Sequence, residues 1–472
     1  MLTNWTLAEL QQPLAALQSQ GDLAAVAVKG VSTDTRSIGS GDLFVALSGP
    51  NFNGNQFVAQ AETAGASAAI VTELQPIKLP QLLVADTRIA LGQLAKLHRQ
   101  AFIRPLVAIT GSSGKTSVKE MLARILEQPV DDAEEVLASV LATRGNFNND
   151  IGAPLTLLAL QPEHRYAVVE LGASGKGEIA YTASLALPDV AILNNAAGAH
   201  LEGFGSLQGV VEAKGEIFEG LSADGVAVVN LDDANSGYWL DCLEGRKLRT
   251  FSLSSSLADL FACDLETAED GCCRFLLNSH EGKQTVTLQV MGQHMVANAL
   301  AAAAAADALG FSLDQIQRGL ERYTGVSGRL ATLRGIRGAT IIDDSYNANP
   351  DSVKAAIRVL ASLPGKRLLV LGNMGELGSD AVALHAEVGR FAASQQLDGL
   401  FSVGDLAAHS AEAFERQRRT DTGSSQPVNA YSDKQLLHEA IEPQLESHTT
   451  VLVKGSRSAA MEQVANGLSE KG

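Results

Sequence analysis

Residues 106–122, LVAITGSSGKTSVKEML, have the composition and spacing of a phosphate-binding turn. A short apolar run, typical of a buried strand, ends in Gly111, Ser112, Ser113 and Gly114 and continues as a helical pattern opening with Lys115, Thr116 and Ser117. The two glycines allow a tight turn and close backbone approach, so that successive N–H groups and the helix N-terminus can cradle phosphate oxygens. Lys115 can reach the β- and γ-phosphates, and the Thr116 hydroxyl can ligate Mg2+. The widespread G-x-x-x-x-G-K-[ST] spacing would need a glycine at position 109, which is Ile109. The chain has no Asn-Lys dipeptide, so it lacks the N-K-x-D motif with which GTPases read their base.

Three further stretches carry polar residues where such a turn could use them. TRGNFNNDIGAPLTLLAL, at 143–160, gathers Thr143, Asn146, Asn148 and Asn149 in a turn ahead of an apolar helix. VVELG puts Glu170 at the C-terminal end of a buried strand, the edge where open α/β sheets bind ligands. ILNNAAGAHLEGFGS places Asn194, Asn195 and His200 at or beyond the end of the next strand. Read singly, a glutamate or histidine there is a local hydrogen-bonding residue. Together with Thr116, Glu170 and His200 form an oxygen and nitrogen shell for a divalent metal, because their strands end on one edge.

The elements that must position these residues fall into three regions. Residues 1–103 hold short β-like runs (DLFVAL, SAAIVT, QLLVAD) and close with the amphipathic helix IALGQLAKLHRQAF before Pro105. Residues 104–326 alternate apolar strands (PLVAIT, YAVVEL, DVAILN, GVAVVN) with helices, which implies a parallel sheet covered on both faces. Within it, 247–291 read as antiparallel strands added at an edge, 293–322 as helix, and ANALAAAAAADALG as a buried helix. Residues 327–472 repeat the alternation (ATIIDDS, KRLLVLG, GLFSVG, TTVLVKG) and predict a smaller doubly wound layer. The acidic run at 131–135 reads as a solvated face.

Bulk properties narrow the function classes. A length of 472 residues suits about three domains. A formal net charge of −17 argues against nucleic acid as the main partner. No apolar stretch reaches membrane-spanning length and the N-terminus has no signal-peptide pattern, so a cytoplasmic protein without membrane insertion is expected. Cys242, Cys263, Cys272 and Cys273 match no metal-binding or redox spacing and read as reduced structural thiols.

In order along the chain, GSSGKTSVKEM, GNFNNDIGAPLTLL, VELGA, AHLEGFGS, EAKGEIF, GQHMVANALAA, SGRL, DDSYNANPDS, LGNMGELG and VKGSRSAAME resemble the motifs of the Mur ligases. STDTRS and GDLFVAL extend the resemblance towards the N-terminus. That family uses the shorter T-G-x-x-G-K-[ST] loop, which accounts for Ile109. The resemblance implies a three-domain α/β chain: a small N-terminal UDP-binding domain, a central ATP-binding domain with a mostly parallel P-loop-type sheet, and a C-terminal Rossmann-like domain. DDSYNANP and KGSRSAAME resemble the branch that joins D-alanyl-D-alanine to UDP-N-acetylmuramoyl-tripeptide through an acyl phosphate. A ligase adding a diamino acid, a folylpolyglutamate synthetase-like ligase and a non-catalytic nucleotide-binding scaffold are the alternatives.

By resemblance, the 111–117 backbone and Lys115 hold the ATP phosphates, and Thr116 takes Mg2+. Glu170, His200 and a carbamylated Lys214 are implied as ligands of a second ion; read from sequence alone, Lys214 is a surface helix lysine. Asn298 is implied at the adenine with His294 one turn earlier, Arg329 at the γ-phosphate, Asp344 at the ribose and Tyr346 near the nucleotide. Read without the family, Asp343 and Asp344 are either site residues or a helix cap. Substrate contacts are expected from Thr143, Asn146 and Asn149. The UDP moiety is expected at Ser32, Thr33, Asp34 and Arg36, a run that also reads as an Asp-stabilised turn. The chain departs from the family pattern at FNGNQF (52–57), where F-D-G-H-x-F is usual, and at Asn373, where aspartate is usual. A monomer whose C-terminal domain closes over ATP during turnover completes these expectations.

Overall fold

The computed structural model describes residues 2–49, 52–129, 139–198, 201–423 and 427–470. The acidic run at 131–135 and His200 lie outside the described residues.

The first region forms a five-stranded sheet in the order Gln18–Gln20, Gln81–Leu83, Ala68–Val71, Asp42–Val45, Gly30–Ser32. Its strands run parallel except the first, which pairs antiparallel to Gln81–Leu83. The closing helix spans Thr87–Gln100, and the Asp86 side chain caps it by accepting from the N–H groups of Arg88 and Ile89. Arg99, on that helix, donates from Nε to the Ala186 carbonyl (2.8 Å) and from Nη2 to Leu187 O (2.9 Å) and Asp189 (3.0 Å). It thereby ties the first region to the central one.

The central sheet has nine strands in the order Val140–Ala142, Tyr166–Glu170, Leu106–Thr110, Val190–Leu193, Val226–Asn230, Lys247–Ser252, Leu260–Thr267, Cys272–Ser279, Gly282–Met291. Strand Leu106–Thr110 is wholly buried. Val107 and Ile109 pack with helices Lys115–Leu126 and Gln293–Ala308 on one face, while Leu106 and Ala108 pack on the other. The chain leaves this strand in both directions across the sheet, so the phosphate turn sits at a topological switch point. Lys247–Ser252 pairs parallel with both its neighbours, whereas Leu260–Thr267, Cys272–Ser279 and Gly282–Met291 pair antiparallel with one another in that order at the sheet edge. The expected antiparallel strands at an edge are thus found over 260–291, and the expectation is corrected only for Lys247–Ser252, which continues the parallel sheet. Helix Gln293–Ala308 buries Ala299 to Ala306 completely, and Asp307 at its end pairs with Arg249 Nε at 2.7 Å.

The third region is a six-stranded sheet in the order Ala331–Arg334, Thr340–Asp344, Thr449–Lys454, Lys366–Gly372, Gly399–Val403, Asn429–Tyr431, parallel but for its first strand. Helix Pro350–Ser362 begins with a reciprocal cap between Asn349 and Ser352 and proline in its first turn. The cap is therefore Asn349, and neither Asp343 nor Asp344 serves as one. All four cysteines are free.

Candidate active site

The carboxyl ends of the central strands and of strands Thr340–Asp344 and Thr449–Lys454 face a single cleft of about 440 Å3. Ser112–Ser117, Asn146, Asn149, Glu170, Asn298, Arg329, Asp344 and Tyr346 all line it. The turn that opens it follows from its glycines: Gly114 has φ +79, and a Cβ there would overlap Asn298 Oδ1 and Asn194 Nδ2. At Gly111 a Cβ would lie 3.1 Å from Asn194 Cβ and 3.3 Å from Asn195 N, so a side chain there would press on the segment after strand Val190–Leu193.

Lys115 is half-buried and donates from Nζ to the Gly111 carbonyl at 2.6 Å. Burial pushes its pKa down, opposed by the charge of Glu170. Glu170 is 2% exposed, with Oε2 accepting from the Thr116 hydroxyl (2.9 Å) and Oε1 from the Asn148 amide (2.8 Å). Its own N–H donates to Thr143 Oγ1 at 2.9 Å, so Thr143 acts through Glu170. Asn149 accepts from the Gly152 N–H (2.8 Å) at the start of the next helix while lining the cleft. A buried carboxylate held only by neutral donors beside a threonine hydroxyl suits a divalent cation, with substrate oxygens completing the shell. Among the described residues no group of three or more His, Cys, Asp or Glu is arranged to hold a metal, so the fit rests on Thr116 and Glu170.

Lys214 is 1% exposed, on helix Leu207–Gly215, with its Nζ 5.4 Å from the Phe204 ring centroid. Trp239, fully buried, donates from Nε1 to Val211 O (3.0 Å) and packs that helix inward. The surface-lysine reading is therefore wrong. Burial first, and next the like charge of Lys115, bring the Lys214 pKa down to about 7.

The third region contributes the opposite wall. Arg329 Nη2 donates to Thr116 Oγ1 at 2.9 Å, and the guanidinium lies 4.4 Å from the Tyr346 ring centroid. Asp344 receives Lys454 Nζ at 2.5 Å, and Lys454 also donates to Asn347 O (2.9 Å). Burial pushes the Asp344 carboxyl up against the opposing pull of Lys454. Burial and the Lys454 charge hold His294 down at about 4, so its ring is neutral near pH 7. Asn298, one turn further on, accepts from Asn194 Nδ2 at 3.0 Å. Lys454 was not among the sequence candidates, and Asn148, noted in its turn, was given no role there. The one signal for Lys454 is a lysine directly after the apolar run VLV at the end of a strand pattern.

Ser32, Thr33, Asp34 and Arg36 do not line this cleft. Arg36 grips Asp34 (Nη2 to Oδ2, 2.6 Å), holding that carboxyl down at about 2, and Ser32 Oγ donates to Asp34 O at 3.0 Å. The run thus has the geometry of the Asp-stabilised turn. In FNGNQF, Asn53 Oδ1 accepts from the Asn55 N–H (3.0 Å) and amide (2.9 Å), and Asn55 exchanges hydrogen bonds with Thr72. Asn373 Oδ1 accepts from the Ala407 N–H (2.8 Å) at the start of helix Asp405–Thr422, a bond an aspartate would also make.

Family models match three successive segments: the Mur ligase family catalytic domain at 27–99, the Mur ligase middle domain at 109–306 and the Mur ligase glutamate ligase domain at 328–457. The UDP-N-acetylmuramoyl-tripeptide–D-alanyl-D-alanine ligase of Escherichia coli K12 is 44% identical over 451 residues, 95% of each chain. The ligase of the same name from Bacillus subtilis is 35% identical over 94% of this chain and 93% of its own. A crystal structure of MurF from Acinetobacter baumannii superposes with a TM-score of 0.90 at 36% identity over 99% of both chains.

Proposed function

The chain belongs to the Mur ligase family, and we propose that it joins D-alanyl-D-alanine to UDP-N-acetylmuramoyl-tripeptide with cleavage of ATP to ADP and phosphate. The observation that carries this reading is the junction at Thr116. The phosphate-turn hydroxyl meets Glu170 on one side and Arg329 from the third region on the other, so one ATP and one carboxylate would be held by both halves of the cleft.

The tripeptide's terminal carboxylate is a poor electrophile. One of its oxygens attacks the γ-phosphorus and the bond to the β-phosphate oxygen breaks, giving an acyl phosphate and ADP. The amine of D-alanyl-D-alanine, after losing a proton, attacks the carbonyl carbon, and the tetrahedral adduct expels phosphate to leave the amide. Lys115 and Arg329 orient and neutralise the phosphates, and the 111–117 backbone cradles them. Glu170 and Thr116, with His200 and a carbamylated Lys214, would hold two Mg2+ ions, which supply charge neutralisation between carboxylate and phosphate. A Lys214 amine near pH 7 in its titration is suited to carbamylation, which needs the neutral form. Asn298, Asp344 and Tyr346 would take the adenosine. Thr143, Asn146 and Asn149 would support the acceptor, and Ser32, Thr33, Asp34 and Arg36 the UDP.

Division into units at 1–103, 104–326 and 327–472 is supported by the sheet in each and by family models that fall within them. Among the described residues no helix is long and apolar enough to cross a membrane. A nucleotide-linked substrate and ATP favour a cytoplasmic reaction, and the net charge of −17 favours a protein without a nucleic-acid partner, proposed to act as a monomer. The test is ADP release with Mg2+ and UDP-N-acetylmuramoyl-tripeptide, with and without D-alanyl-D-alanine, with the product weighed. Dipeptide-dependent release with the matching mass gain is expected; release with a diamino acid or glutamate instead would move the chain to a sister branch.

A further inference from the structure

Beside the phosphate turn runs Asn194–Ala197, the segment that follows strand Val190–Leu193, and the two are joined residue by residue. Ser112 N donates to Asn195 O at 3.0 Å, and the Ser112 hydroxyl exchanges bonds with Ala197 (N–H to Oγ, 2.9 Å; Oγ to O, 3.1 Å). The Asn195 side chain then brackets the peptide groups of Ser113. Its Oδ1 accepts from the Ser113 N–H at 2.9 Å, its Nδ2 donates to the Ser113 carbonyl at 3.2 Å, and the Ser113 hydroxyl reaches Oδ1 at 3.4 Å. Asn194 Nδ2 adds a second donor to that carbonyl at 3.0 Å. Behind them, Asn230 Nδ2 donates to Asn194 O (3.0 Å), and the Asp233 carboxylate accepts from Ala196 N (2.7 Å), fixing the segment to the next strand.

We propose that Asn195 is a positioning residue for nucleotide binding, whose side-chain amide holds the Ser113 peptide and so keeps the phosphate turn formed before ATP arrives. The inference rests on the nucleotide site proposed above. A four-residue turn with two glycines is costly to order, and any ordering left to the binding step is subtracted from affinity. A side-chain amide that both accepts from and donates to one residue imitates a strand partner, restraining the turn where no strand continues. Asn195 would therefore act on nucleotide affinity rather than on the chemical step.

Two measurements on the full chain decide this. Hydrogen–deuterium exchange without nucleotide should show faster exchange in the 111–117 segment of Asn195→Ala, with strand Tyr166–Glu170 unchanged. Asn195→Asp, which keeps an acceptor for the Ser113 N–H and loses the donor to its carbonyl, should fall between wild type and Asn195→Ala. Calorimetric titration with ADP and Mg2+ should give roughly tenfold weaker binding for Asn195→Ala, the scale of ordering about one residue. KM for ATP should rise in parallel while kcat and the KM for D-alanyl-D-alanine stay within about twofold. Unchanged exchange in 111–117, or equal ADP affinity in wild type and variant, overturns the inference, as does a fall in kcat with KM for ATP constant. Failure of the wild type to bind ADP would instead overturn the nucleotide site, and the exchange data would still report on the bracket.

Discussion

Lys214 shows how far a residue's chemistry depends on its surroundings. In water its amine would be fully protonated at neutral pH and inert towards CO2. Buried beside the Phe204 ring and repelled by Lys115, its pKa is brought down to about 7. The neutral fraction, which is the nucleophile, grows as pH rises through that value. At fixed dissolved CO2, 13C NMR with labelled bicarbonate is expected to show a carbamate signal that increases from pH 6 to pH 8 and is missing in Lys214→Arg. A signal equal in both, or one that falls with pH, would contradict the assignment. The phosphate turn was legible because its signal is local: glycines, lysine and threonine at covalent spacing. Burial of Lys214, the pairing of Lys454 with Asp344 and the grip of Asn148 on Glu170 are made by residues distant in sequence, which spacing alone does not reveal.

At the scale of elements, the apolar strands and the alanine-rich helix declared themselves, because a sheet covered on both faces demands uninterrupted apolar runs. Short edge strands such as Ala331–Arg334 and Asn429–Tyr431 did not, since each is only half-buried and three or four residues carry little periodicity. What fixes helix Thr87–Gln100 to the central sheet was also invisible in sequence. Arg99 is 7% exposed and satisfies the carbonyls of Ala186, Leu187 and Phe102 as well as Asp189. Arg99→Ala leaves these acceptors in a site closed to water, and a loss of about 2–4 kcal/mol in urea unfolding is expected. A loss below about 0.5 kcal/mol would mean that the two regions are held by apolar packing alone.

Across the whole molecule, a site divided between two sheets makes the reaction depend on their juxtaposition. Arg329 touches Thr116 across 213 residues of chain, and Asp344 and Lys454 close the cleft from the same side. In the proposed reaction, a third region held against ATP would gather the reactants and exclude water from the acyl phosphate. The N-terminal run Ser32–Arg36 does not line this cleft, so the UDP contacts proposed for it would have to lie outside the nucleotide site. In the proposed reaction the tripeptide carboxylate, not water, takes the phosphoryl group. This is tested by turning over UDP-N-acetylmuramoyl-tripeptide labelled with 18O in its terminal carboxylate, with ATP, Mg2+ and D-alanyl-D-alanine, and analysing the phosphate released. One 18O transferred to phosphate per amide formed is expected, with Lys115→Ala losing both in step by about 100-fold or more. Amide formed alongside unlabelled phosphate would contradict it.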